Sequence, residues 1–123
     1  IISIYKMLDR DEDVLEYLHM LVVVRPDILS YWLDHIIYLF EMGKHQDALE
    51  VINDAINRSG HYAEYYYLQS AALCYAGKMR EAISVLEHAL TVDYSRHTIL
   101  YEVAKDVAMR PEIQRVIGLY NAN

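Results

Sequence analysis

The chain has 123 residues, 54% hydrophobic and 24% charged, which excludes a disordered tail or a fibre and allows one domain a real core. Its formal net charge of −7 opposes binding to nucleic acid or to an anionic membrane, since both call for a cationic face. A single cysteine, Cys74, excludes an internal disulfide, and two prolines with four glycines favour long helices over a strand-rich fold.

In chain order, residues 1–8 read as the end of an amphipathic helix, and because the chain starts at Ile1 an upstream segment is expected. The acids Asp9, Asp11, Glu12 and Asp13 suit the start of a second helix over 12–24. Its apolar run from Met20 to Val24 is far too short to cross a bilayer, so no membrane insertion is expected. Pro26 cannot continue that helix. A helix over 28–41 follows, opened by Trp32 and closed at Gly43, and its partner runs over 45–58. The next two helices cover 61–76 and 79–91, with Gly77 between them. The last two cover 96–109 and 111–121, and Pro111 falls in a first helical turn, where proline is welcome.

These helices repeat at a fixed interval of 34 residues. Gly43-Lys44 recurs as Gly77-Lys78, Asp47-Ala48-Leu49 as Glu81-Ala82-Ile83, Val51-Ile52 as Val85-Leu86, and Ala55-Ile56 as Ala89-Leu90. One step back lie Val14-Leu15, Tyr17-Leu18 and Leu21-Val22, and one step forward lie Val116-Ile117 and Leu119-Tyr120. Within each copy the apolar residues form one stripe of an α-helix, not the alternate faces of a strand.

The 34-residue period, Trp32, the Gly43 and Gly77 turns and the small pairs Ala48/Ala55 and Ala82/Ala89 together resemble tetratricopeptide-repeat (TPR) motifs. The resemblance implies an all-α, right-handed superhelical stack of antiparallel helix pairs, a TPR-type α-solenoid. It divides the chain into a partial repeat over 1–28, repeats over 29–62 and 63–96, and a degenerate C-terminal repeat over 97–123. Ile36 stands where the family usually has a small residue, and Gly60 and Tyr94 where it often has proline. The function implied is a protein-binding scaffold.

No H-E-x-x-H, G-x-S-x-G, P-loop or dinucleotide fingerprint occurs, so neither cofactor nor enzymatic activity is expected. The six histidines are scattered, and one cysteine cannot build a Cys-rich zinc site, so no metal is expected either. Cys74 reads as a small buried hydrophobe rather than a nucleophile.

In the family the leading helix of each pair lines a concave groove. That geometry points Leu33, Ile37 and Phe40 inward from the first full repeat, Tyr67, Ala71, Cys74 and Tyr75 from the second, and Tyr101, Lys105 and Ala108 from the third. The groove so lined is apolar and aromatic, suited to a peptide or a partner's helix. Twelve tyrosines against one phenylalanine fit an interface, because tyrosine offers a large ring and a hydroxyl at low entropic cost. Filling gaps between helices explains the same tyrosines, and both readings stand. Tyr65-Tyr66-Tyr67 is expected to send one ring to the core, one to the neighbouring repeat and one to the groove. The Lys and Asn with which co-chaperone TPR domains grip a C-terminal carboxylate are missing, since Leu33, Ile37 and Ala71 occupy those places. The alternatives to peptide binding are self-association through the exposed N-terminal helix, stacking within a longer solenoid, and service as an accessory module of an enzyme or secretion system.

Overall fold

A computed structural model describes residues 11–121, so the helix expected over residues 1–8 lies outside the described part. The described residues form eight α-helices, one 3-10 turn and no strand. They are α1 (Asp11–Val24), α2 (Leu29–Glu41), α3 (His45–Arg58), α4 (Ala63–Tyr75), α5 (Met79–Val92), α6 (Ile99–Val103), α7 (Lys105–Ala108) and α8 (Pro111–Asn121), with the 3-10 turn at Tyr94–Thr98 before α6. None is long and apolar enough to cross a membrane.

Two turns set the architecture. At the end of α2, Gly43 has φ +74°, its amide donates to the Phe40 carbonyl at 3.0 Å, and the Lys44 amide donates to the Leu39 carbonyl at 2.9 Å. At the end of α4, Gly77 has φ +78°, and the Gly77 and Lys78 amides reach the carbonyls of Cys74 and Leu73 at the same two distances. Both are Schellman caps, which need a left-handed residue that glycine adopts freely. Each turn is short, so α2 returns as α3 and α4 returns as α5, antiparallel to its predecessor. The Trp32 indole donates to the Pro26 carbonyl at 2.9 Å, which pins the chain between α1 and α2.

The 34-residue register is a packing register. Val14, Ala48, Ala82 and Val116 occupy one position in α1, α3, α5 and α8, and all four are buried. One turn later Leu18, Ile52 and Leu86 are fully buried too, and Tyr120 is partly buried. In the leading series Ile36, Ser70 and Ala104 share a position and are likewise buried. The α4–α5 contact is the most extensive in the fold, and there the Ser70 hydroxyl donates to the Ala82 carbonyl at 2.7 Å. Where Ile36 stands in place of Ser70, the α2–α3 contact is less extensive, as expected of a branched side chain at a close helix contact.

The third leading helix departs from the expected 96–109. It begins as the 3-10 turn, continues as α6, breaks at Ala104 (φ −140°, ψ 62°) and resumes as α7. The break re-aims the chain, so that Val107 and Ala108 are buried while Asp106 faces α4.

A second departure concerns α4. Nine of its 13 residues are buried, and it contacts α3, α5, α6 and α7. Moreover α2 and α6 approach each other directly, across α4. A stack in which each repeat met only its neighbours would not bring those two helices together.

Candidate functional site

The leading helices carry the residues expected to line a groove, and the fold separates them into two groups. Leu33 and Ile37 of α2, Tyr75 of α4 and Tyr101 of α6 are half-buried, and Lys105 of α7 is exposed. Phe40, Tyr67, Ala71, Cys74 and Ala108 are buried. These five are core residues, and the expectation that they face a partner is corrected.

The reason lies in the register. Leu33, Tyr67 and Tyr101 occupy one position in successive leading helices, as do Ile37, Ala71 and Lys105. In both sets the middle residue belongs to α4 and is completely buried. Ala71 offers only a methyl group there, which suits a position with no accessible surface.

Every hydroxyl in the tyrosine run is engaged. Tyr65 is fully buried and donates to Ser59 Oγ at 2.8 Å. Burial pushes its phenol up to about 12. Tyr66 sits against two histidines, with its hydroxyl 2.5 Å from His61 Nδ1 and its ring 4.6 Å from that of His88. Tyr67 donates to the Asp93 carbonyl at 2.8 Å, and burial raises its phenol as well. Two rings are thus in the core and the third meets the neighbouring α5. None enters an open groove.

The densest polar-aromatic contact joins the two glycine turns. The Tyr75 ring stacks on His45 with centroids 3.9 Å apart and planes 11° from parallel. Phe40 lies 5.4 Å from His45 and 6.2 Å from Tyr75. The Tyr75 hydroxyl donates to Asp106 Oδ1 at 2.5 Å. One tyrosine therefore ties the end of α4 to the start of α3 and to α7. Burial first, then the Asp106 carboxylate, raises the Tyr75 phenol, while that hydrogen bond holds Asp106 below the usual carboxylate range. Burial lowers His45 despite the attraction of Asp106. Burial also raises the Cys74 thiol. Phenol and thiol keep their protons at neutral pH while Asp106 is ionised, so the contact is a packed ring stack closed by a charge-assisted hydrogen bond rather than a set of activated nucleophiles.

Tyr101 is held from the other side. Gln114 of α8 donates from Nε2 to the Tyr101 hydroxyl at 2.6 Å and to the Ala108 carbonyl at 2.5 Å. His45, Asp106 and Gln114 were not singled out from the sequence. His45 and Tyr75 lie thirty residues apart, off the 34-residue register, so no periodicity points to the pair. Among the described residues no three His, Cys, Asp or Glu side chains converge as a metal site.

Comparison with protein-family models, curated proteins and solved structures finds no match to this chain.

Proposed function

We propose that the chain is a non-catalytic scaffold of the TPR type, a right-handed superhelical stack whose leading helices hold a peptide or a helix of a partner protein. The observation that carries this reading is the recurrence of one packing position, Val14, Ala48, Ala82 and Val116, in four helices at 34-residue spacing, with identical caps at Gly43 and Gly77. Repeated helix pairs build extended surfaces rather than enclosed reaction chambers. The partner surface is narrower than a full groove. It consists of Leu33, Ile37, Tyr75 and Tyr101, with Lys105 at its edge, because α4 is covered where Tyr67, Ala71 and Cys74 would have faced a ligand.

Replacing Leu33 and Ile37 by Asn tests this surface. The variant should keep its helical circular dichroism and lose partner recovery in a pull-down from the source cell. A folded variant that recovers the same partners as the wild type would sink the assignment.

A second reading is favoured by α1, where Met20, Val23 and Val24 are 51%, 54% and 67% exposed. These residues share one side of the helix and together form an exposed apolar patch, the kind of surface a partner covers. Self-association through α1 would cover them. Light scattering should then show a dimer that Val23→Lys/Val24→Lys converts to a monomer, and a wild type that stays monomeric at high concentration rules this reading out.

A further inference from the structure

Between α3 and α5 the fold leaves a groove open, with no residue of α2 or α6 in its lining. Its walls are α3 and α5, its floor is α4, and its volume is about 440 Å³. Leu49, Leu73 and Val85 form an apolar patch along the bottom. Gln69 stands beside them and donates from Nε2 to Asn53 Oδ1 at 3.2 Å. That pairing leaves an acceptor on Gln69 and a donor on Asn53 without a partner among the described residues. Glu50 projects from the α3 wall and Glu81 from the α5 wall. Both are exposed, and neither carboxylate takes part in any hydrogen bond or ion pair of the described residues. Among the described residues no lysine or arginine lines the groove.

We propose that this groove between α3 and α5 is a docking site for an extended, lysine- or arginine-bearing segment of a partner protein, separate from the surface formed by the leading helices. Charge complementarity selects the occupant. Two unpaired carboxylates on facing walls suit cations that flank an aliphatic side chain seated on Leu49, Leu73 and Val85. The free amide acceptor and donor of Gln69 and Asn53 match the N–H and C=O of a passing backbone. A second copy of this chain fits poorly, because it brings a net charge of −7 to an acidic rim. From Gln46 to Asn53 the α3 wall spans roughly 10 Å, the reach of about three extended residues.

The probe is the peptide Ac-Lys-Leu-Lys-Leu-Lys-amide, titrated into the isotope-labelled protein and followed by NMR, with Ac-Glu-Leu-Glu-Leu-Glu-amide as control. The lysine peptide should shift the side-chain amide signals of Gln46, Asn53 and Gln69 saturably, and the glutamate peptide should not. Glu50→Lys/Glu81→Lys should weaken the lysine peptide by at least about tenfold while helical content is kept, because the substitution replaces attraction by repulsion on both walls. Should that variant fold poorly, Glu50→Gln and Glu81→Gln replace it, each weakening binding by about threefold. Absence of any shift, equal shifts from both peptides, shifts confined to the Leu33–Ile37 side, or wild-type affinity in the folded charge variants would each overturn the proposal. The pull-down on Leu33 and Ile37 reads the other surface, so the two can fail separately.

Discussion

Ser70 of α4 and the carbonyl of Ala82 in α5 are joined by a 2.7 Å hydrogen bond inside the core, with both residues essentially inaccessible. The bond spans the helix pair with the most extensive contact, where both positions are small. Ser70→Ala should lower stability by about 1 kcal/mol, the ordinary net worth of one such bond. Ser70→Ile, which copies Ile36 of the preceding pair, should lower it by about 1–3 kcal/mol through overpacking. Urea unfolding of the two variants checks both the values and their order.

The two capping glycines should respond alike. A methyl group added at Gly43 or Gly77 meets nothing within 4 Å, so only the left-handed backbone penalises alanine there. Gly43→Ala and Gly77→Ala should each destabilise by about 1–2 kcal/mol. The two turns meet through the stack of Tyr75 on His45, so the double variant should depart from the sum of the single losses. Thermal melts of the three proteins measure this, and Asn in place of Ala should recover part of the loss at either site.

His35 gives the fold an acid limit. It is 7% exposed, its Nδ1 has no hydrogen-bond partner among the described residues, and its ring lies 6.3 Å from that of His19. Burial first, then the charge of His19, lowers its pKa to about 4. The unfolded chain takes up a proton near the ordinary value of about 6.5, whereas the folded chain waits until about 4. Over that window the unfolded state binds more protons, so stability falls as pH falls from about 6.5 to about 4. The loss from this residue should reach about 2–3 kcal/mol. His35→Leu should flatten this part of the stability profile measured by denaturant unfolding, and an unchanged slope would show that His35 is not its source.

Tyr67 separates core from interface. Tyr67→Phe removes only the hydrogen bond to the Asp93 carbonyl and should destabilise by about 1 kcal/mol without altering partner recovery. Tyr67→Ala should destabilise by about 3–5 kcal/mol, as truncation of a buried ring does. Loss of partner recovery in a folded Tyr67→Phe protein would return this residue to the binding surface.

The parts legible in the sequence are those written by local rules. The Gly43 and Gly77 turns, the small pairs at Ala48/Ala55 and Ala82/Ala89, and the limits of α3, α5 and α8 follow from capping, periodicity and proline chemistry. The break at Ala104 has no such mark, because alanine is the best helix former and the interruption answers to the docking of α7. Position along the stack decides burial of the groove residues. Leu33, Tyr67 and Tyr101 are equivalent in register, yet only the middle one loses all its surface, because α4 has neighbours on both sides. Tyr65, Tyr66 and Tyr67 differ in role through phase alone, with partners Ser59, His61 and Asp93 that no spacing rule names. The contact of His45 with Tyr75 depends on two turns meeting in space, which is tertiary information.

The meeting of α2 and α6 over α4 bears on how the chain comes apart. In a linear array a terminal unit can fray while the remainder holds, since free energy is lost one interface at a time. Here the last leading helix rests on the first described one as well as on the middle one, so peeling α6 away exposes α4 to water and strips α2 of a neighbour together. Partial opening is thereby penalised, and α2 to α8 should behave as one cooperative unit with α4 as its keystone, last to exchange its amide protons.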